Sequence, residues 1–216
     1  NGPFVLIGNE FLDALPVRQF VKTFGQWSER LIGLNKNGTC LRWTTSSYGT
    51  DGEFPVPPAL DGCDEGMIWE VCADAQDIVA SISSAIMERR GIALFIDYGY
   101  VKQTGGDTFQ AVQNHDFTDP LETPGEADLT AHVDFEAIKR VAVEKGVRVS
   151  GPIPQGDFLR GLGIEQRAGQ IMTTATKRQQ LYIHTGLSRL IDDDEMGTLF
   201  KVMALSHPND VKPEGF

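Results

Sequence analysis

The chain has 216 residues, 41% of them hydrophobic and 23% charged, with a formal net charge of −11. That mixture supports an ordinary packed core in one or two domains. The acidic balance argues against a nucleic-acid surface, which needs basic patches to neutralise phosphate, and no run of about 18 apolar residues implies a membrane span. Cys40, Cys63 and Cys72 are an odd number without metal-ligand spacing. They read as reduced thiols, in a bacterial cytoplasm or, if the source is eukaryotic, a mitochondrial matrix.

Phe4-Val5-Leu6-Ile7 reads as a buried strand of a parallel sheet, with Gly8 as its last residue. A polar cluster, Asn9, Glu10 and Asp13, follows at once. Open α/β sheets bind ligands outside the carboxyl ends of their strands, so chemistry is expected there; the plainer reading is a helix start with Asp13 as N-cap. Residues 17–24, 27–34 and 39–45 read as three short strands of an antiparallel meander, with Asn35-Lys36-Asn37-Gly38 as a type I′ hairpin turn. Residues 46–67, rich in Gly, Pro, Asp and Ser, read as a loop, and Trp69-Glu70-Val71 as a brief extended piece.

Asp74 is expected to cap a helix whose stripe is Ala75, Ile78, Val79, Ile82, Ala85 and Ile86, ending at Arg89, Arg90 and Gly91. Ile92–Ile96 is a second buried parallel strand, with Asp97 and Tyr98 at its carboxyl end. Residues 101–133 show no periodicity, and a loop that long in a compact domain is usually functional or disordered. A metal site would need His115, Asp119 and His132 to converge without any recognised spacing, so none is expected. Asp134 caps a second helix, with Phe135, Ile138, Val141 and Ala142 buried. Residues 147–150 read as a strand, 158–162 as a short helix, 164–191 as one or two helices, and 198–205 as the last strand. Gly161-Leu162-Gly163 lacks the spacing of a cofactor loop.

Particular words in the chain carry a family resemblance. Asn9-Glu10-Phe11-Leu12-Asp13-Ala14-Leu15-Pro16, Ile96-Asp97-Tyr98-Gly99-Tyr100, Gly106–Ala111 and Pro124–Phe135 resemble, in order, the signatures of the MidA family of class I S-adenosylmethionine-dependent methyltransferases. Gly151-Pro152, Gln155, Phe158-Leu159 and Leu162-Gly163-Ile164 are later matches. The resemblance implies an α/β fold: the second half of a class I, Rossmann-like methyltransferase sheet with an inserted β meander (about 17–67), a long active-site loop (about 101–133) and additional C-terminal helices. The fourth and fifth strands would be parallel, with the last strand antiparallel between the fifth and sixth. The family's glycine-rich cofactor loop precedes the matched region, so residues 1–216 are expected to be the C-terminal part of one methyltransferase domain.

The resemblance further implies S-adenosylmethionine as cofactor and symmetric dimethylation of an arginine on a protein partner such as a respiratory complex I subunit. A guanidinium is always charged and a poor nucleophile. A carboxylate orients it through charge-assisted hydrogen bonds. Glu10 is the first candidate for that role and Asp13 the second. Asn9 would lie nearest the cofactor's methionine end, and Asp97, Tyr98, Asp128 and His132 would form the facing wall. The alternative for Asp128 and His132 is a loop-fastening hydrogen-bond network. The alternative for the whole protein is a catalytically silent assembly factor that keeps the fold.

Overall fold

The computed structural model describes residues 2–49 and 55–216; part of the loop expected at 46–67 lies outside the described residues. β1 (Phe4–Asn9) is the predicted first strand. No helix follows it: residues 10–17 form bends and turns, so Asp13 caps nothing. The meander forms as expected from β2 (Arg18–Thr23), β3 (Gln26–Leu34) and β4 (Leu41–Gly49).

The turn between β3 and β4 differs from expectation. Leu34 pairs with Leu41, and only Gly38 has a positive φ there (+69°), whereas a type I′ turn needs two such residues. The loop is wider because Asn35 closes it: Asn35 N–H donates to Cys40 O at 2.9 Å, and Asn35 Oδ1 accepts from Thr39 N at 2.9 Å. β5 (Ile68–Val71) pairs with β2, so Trp69–Val71 belongs to a four-stranded sheet.

α1 (Ala73–Arg89) starts two residues earlier than expected. Cys72 holds the cap position without a side-chain bond, and Asp74 sits in the first turn, where its charge complements the helix dipole. Ala75, Val79, Ser83 and Ile86 are its buried stripe. β6 (Gly91–Tyr100) runs four residues past the predicted Ile96. Side chains alternate along a strand, and this alternation buries Ala93, Phe95 and Asp97 together. Asp97 and Tyr98 therefore lie within the strand rather than beyond it.

Residues 101–133 are more regular than their sequence suggests. β7 (Gln110–Gln113), β8 (Asp116–Thr118) and β9 (Asp128–Thr130) form a small antiparallel sheet. Its β7–β8 turn is Asn114-His115, both at positive φ (54° and 71°). That is the two-residue turn usually flagged by Asn-Gly; with His in second place the signal is lost. β10 (Val133–Asp134) pairs parallel with the end of β6. α2 (Phe135–Glu144) is capped as expected, with Asp134 Oδ1 accepting from Ala137 N at 2.9 Å.

The remaining elements are β11 (Arg148–Pro154), α3 (Gln155–Gly161), α4 (Ile164–Met172), α5 (Lys177–Ile191), α6 (Met196–Leu199) and β12 (Phe200–Ser206). The main sheet has the order β1-β6-β12-β11, with β10 attached to β6. β1 and β6 are parallel, and β12 runs antiparallel between β6 and β11, the placement implied by the resemblance. α1 and α2 cover one face: Val79, Ile86, Phe135, Ile138 and Ala142 meet Phe95, Met203 and Leu205 in the main core. Each fully buried large side chain there contributes about 1.5–3 kcal/mol. β1 is an edge strand among the described residues, with Val5 and Ile7 74% and 66% exposed.

The β6–β10 junction decides where residues 131–134 sit. At Gly99 a Cβ would collide with the backbone oxygen and nitrogen of Val133. Gly99→Ala is expected to lower stability by about 1–3 kcal/mol, the usual cost of forcing an extra methyl group into a filled space. Urea unfolding measures this, and an unchanged midpoint would mean the two strands part there without penalty.

Candidate active site

The carboxyl ends of β1 and β6 lie side by side, and a buried carboxylate ties them together. Asp97 is 1% exposed. Its Oδ2 accepts from the backbone amides of Phe11, Leu12 and Asp13 at 3.1, 2.9 and 3.3 Å. Its Oδ1 accepts from Tyr98 N at 3.1 Å. Both oxygens are thus used by the chain itself, and Asp97 fastens the loop after β1 from beneath. Burial, then the nearby Asp13 charge, push its carboxyl up to about 7, against the pull of the three amides.

Asp13 and Tyr98 meet directly: the Tyr98 hydroxyl donates to Asp13 Oδ2. Asp13 is 5% exposed, and its Oδ1 accepts no hydrogen bond among the described residues. Burial and the Asp13 contact push the Tyr98 phenol up, so it stays a donor. The Tyr98 ring packs edge-on against His132 and Phe200, at centroid distances of 5.4 Å each. Burial pulls the His132 imidazole below its usual value; Glu70 opposes this and Lys201 adds to it. Ala131 N donates to the Asp13 carbonyl at 3.0 Å, which brings the segment before β10 against the loop after β1.

A second buried carboxylate, Glu70 in β5, was not singled out by sequence reasoning. It is 5% exposed. Its Oε1 accepts from Gln19 Nε2 at 2.7 Å, Thr108 N at 3.0 Å and Phe109 N at 3.1 Å. Its Oε2 accepts from the Thr108 hydroxyl, whose oxygen in turn accepts from His132 N at 2.9 Å. The available signal was a lone acid amid the apolar Ile68, Trp69 and Val71, a position that demands partners once buried. Beside it, Gln19 Nε2 also reaches Asp107 Oδ1 at 2.8 Å. Arg30 donates to Asp107 Oδ2 at 2.6 Å while lying 3.9 Å over the Trp43 ring. The meander is thereby bound to the segment before β7.

Glu10 and Asn9 behave differently from Asp13. Both side chains are exposed, and Asn9 Nδ2 donates to Glu10 Oε1 at 3.2 Å. Glu10 has a φ of +47°, uncommon for a residue with a side chain, and its N–H is held by Ile96 O at 3.0 Å. Strain held at a strand end is a recurrent mark of functional sites. Asp128 stands apart: it is exposed at the start of β9, with no hydrogen bond or ion pair to the other candidates among the described residues. His115 lies in the β7–β8 turn, and among the described residues no three His, Cys, Asp or Glu side chains are grouped to hold a metal.

A cavity of about 320 Å³ opens beside this network, lined by Asp13, Trp69, Glu70, Tyr100, His132 and Asp134 among others. Its apolar floor comes from Leu12, Ala75, Val133 and Ile138. At the strand ends, the Asn9 amide and the Glu10 carboxylate are accessible acceptors suited to an ammonium or guanidinium group. No described strand-to-helix turn carries a glycine-rich loop of the kind that cradles a nucleotide. Of the described residues, Asn9 at the end of β1 has the polar group that would suit the methionine end of S-adenosyl-L-methionine.

The Asp97 anchor has a pH signature. Its carboxyl binds a proton more readily in the folded chain than at its ordinary value of 3.8. The stability it contributes is therefore fully present below about 4 and lost as pH rises through about 7. Asp97→Asn is expected to cost about 1–3 kcal/mol, with a larger gap from the parent at pH 5 than at pH 8. Denaturant midpoints at the two pH values test this, and a gap that widens toward high pH would reverse the assignment.

Residues 1–153 match the profile of a family described as “Putative S-adenosyl-L-methionine-dependent methyltransferase”. A Caenorhabditis elegans protein named protein arginine methyltransferase NDUFAF7 homolog, mitochondrial, is 34% identical over 95% of this chain and 48% of its own length. The Homo sapiens protein arginine methyltransferase NDUFAF7, mitochondrial, is 36% identical over 92% of this chain and 44% of its own length. A crystal structure from Burkholderia thailandensis bound to S-adenosyl-homocysteine superposes with a TM-score of 0.83 at 30% identity, covering 98% of this chain and 55% of that one. A second Burkholderia thailandensis structure gives 0.85 at 32% identity, over 98% and 57%. The chain spans about half the length of the curated relatives it matches. Among the described residues no helix is long and apolar enough to cross a membrane. The family profile over residues 1–153 and the likeness of sequence and structure to these relatives agree: the chain belongs to this family of S-adenosyl-L-methionine-dependent methyltransferases.

Proposed function

We propose that this chain forms the acceptor side of a methyltransferase acting on arginine in a protein. The observation that carries the reading is Glu10: an exposed carboxylate held at positive φ at the carboxyl end of a parallel strand pair. The relatives named protein arginine methyltransferases support the substrate class, and the neighbour bound to S-adenosyl-homocysteine supports the cofactor.

S-adenosyl-L-methionine, when bound, supplies an electrophilic methyl group on a sulfonium. The chain's part is to align the acceptor nitrogen and deal with charge. Glu10 would accept two guanidinium N–H bonds, orient one nitrogen and receive the proton it sheds at a carboxylate oxygen. Asn9 would stand nearest the cofactor's methionine end. Asp13, Tyr98 and His132 would shape the facing wall, with Asp128 at its outer margin, and Asp97 would hold the loop bearing Glu10 in place. The site of action would be the cytoplasm in a bacterial source, or the mitochondrial matrix in a eukaryotic one as in the names of the relatives, with a protein such as a respiratory complex I subunit as partner.

Glu10→Gln keeps the shape and removes the charge. A charge-assisted hydrogen bond contributes about 1.5–3 kcal/mol. If the bonds strengthen toward the transition state, methyl incorporation into a protein acceptor should fall about ten- to several-hundred-fold. The melting temperature should stay near that of the parent. Unaltered methylation would remove Glu10 from the site, and a large loss of stability at normal activity per folded molecule would make it a loop fastener. The measurement belongs on the complete protein, with cofactor saturating.

A further inference from the structure

The cavity beside β5, α1 and α2 borders the strand-end site but is built of different chemistry. Three carboxylates reach its lining, from Asp13, Glu70 and Asp134, and none turns a free oxygen toward a ligand. Glu70 is taken up by Gln19, Thr108 and Phe109. Asp134 accepts from Ala137 N with one oxygen and from Gln103 Nε2 with the other. Asp13 spends Oδ2 on the Tyr98 hydroxyl, and the protein encloses its Oδ1.

Charge therefore does not select the occupant. An anion would face three carboxylates, and like charges repel. A cation would give up its water for oxygens that already hold donors, a poor exchange. Tyr100 stays a neutral phenol, because burial and then the Asp134 charge push its hydroxyl up. Burial pulls the His132 imidazole down, so it too is uncharged near neutral pH. What remains is apolar contact. Trp69 and Tyr100 contribute rings, and Leu12, Ala75, Val133 and Ile138 make the floor. A concave, largely apolar wall with a few fixed polar groups suits an aromatic ring, and about 320 Å³ has room for one.

The cavity also lies within reach of the acceptor. Leu12 and Asp13 line it and follow Glu10 by two and three residues on the same loop. His132 lines it as well and packs against Tyr98. We propose that this cavity receives an uncharged aromatic side chain of the polypeptide acceptor, near in sequence to the arginine held at Glu10. The proposal rests on the protein-arginine reading above and deepens it: an apolar anchor, not a second charge, selects among arginines.

The test is equilibrium binding to the complete protein without methyl donor, followed by NMR titration. The probes are N-acetyl-phenylalanine amide and N-acetyl-alanine amide, both uncharged. The parent should bind the phenylalanine probe at least about ten-fold more tightly, the scale of burying one aromatic side chain. Glu10→Gln should leave that preference intact, since neither probe carries a charge for Glu10 to hold. Ala137→Leu fills the cavity from α2 and Gln76→Trp fills it from α1; each should remove the preference, and the second decides if the first does not fold. In a methylation assay of the parent, the phenylalanine probe should raise the KM for a protein acceptor and leave kcat unchanged. Equal affinity for the two probes, a preference that survives both filled variants, one lost with Glu10→Gln, or binding without effect on acceptor KM would each overturn the proposal. Methylation without a probe preference rejects the aromatic pocket alone. A probe preference in a protein that methylates nothing keeps the pocket and rejects the enzymatic reading.

Discussion

Three backbone amides converging on one carboxylate oxygen hold the whole carboxyl edge of the sheet. Phe11, Leu12 and Asp13 all donate to Asp97, which stands on the buried face of β6 with Ala93 and Phe95. A loop leaving a parallel strand has amides without ladder partners, and burying them unpaired would cost about 1–3 kcal/mol each. Asp97 satisfies all three from inside the neighbouring strand. It also fixes Leu12 in the main core and Asp13 against Tyr98. Without that anchor Glu10 would keep its amide bond to Ile96 O, and Asp13 its contacts with Tyr98 and Ala131.

Glu70 repeats the device at the other side of the cavity. One carboxylate gathers amides from Thr108 and Phe109 and the hydroxyl of Thr108, and the same hydroxyl oxygen carries His132 N. The segment from 101 to 133 is therefore not an independent flap. It is pinned at 107–109 by β2, β3 and β5, and at 131–134 by the loop after β1 and the end of β6.

Much of this was legible from residue pattern. The apolar runs at 4–7 and 92–96 gave the parallel pair, and Asp134 followed by Phe135, Ile138 and Ala142 gave a correctly capped helix. The meander was readable from its three strands, though not its fourth, because four residues of β5 are too few to show a period. What escaped reading was non-local. The strands at 110–130 hide because their turn uses His115 where glycine is the usual marker. Glu70 escaped because its partners lie 38–51 positions away in sequence. Asp97 looked like a residue beyond a strand end; the strand continues, and alternation turns the side chain inward.

The contact between Arg30 and Asp107 also limits how this architecture can be rearranged. Arg30 lies over Trp43 and bonds Asp107 and Gln19, and Gln19 bonds Glu70. The meander looks like a cassette that could be exchanged between relatives, since it enters and leaves through short connections. Exchanging it alone would leave Asp107 without its guanidinium and amide partners and strip Glu70 of the Gln19 bond, so that only Thr108 and Phe109 hold it. A viable transplant must carry 18–49 and 68–71 together with 106–109 as one unit, so drift in the inserted sheet is tied to drift in the loop that borders the cavity.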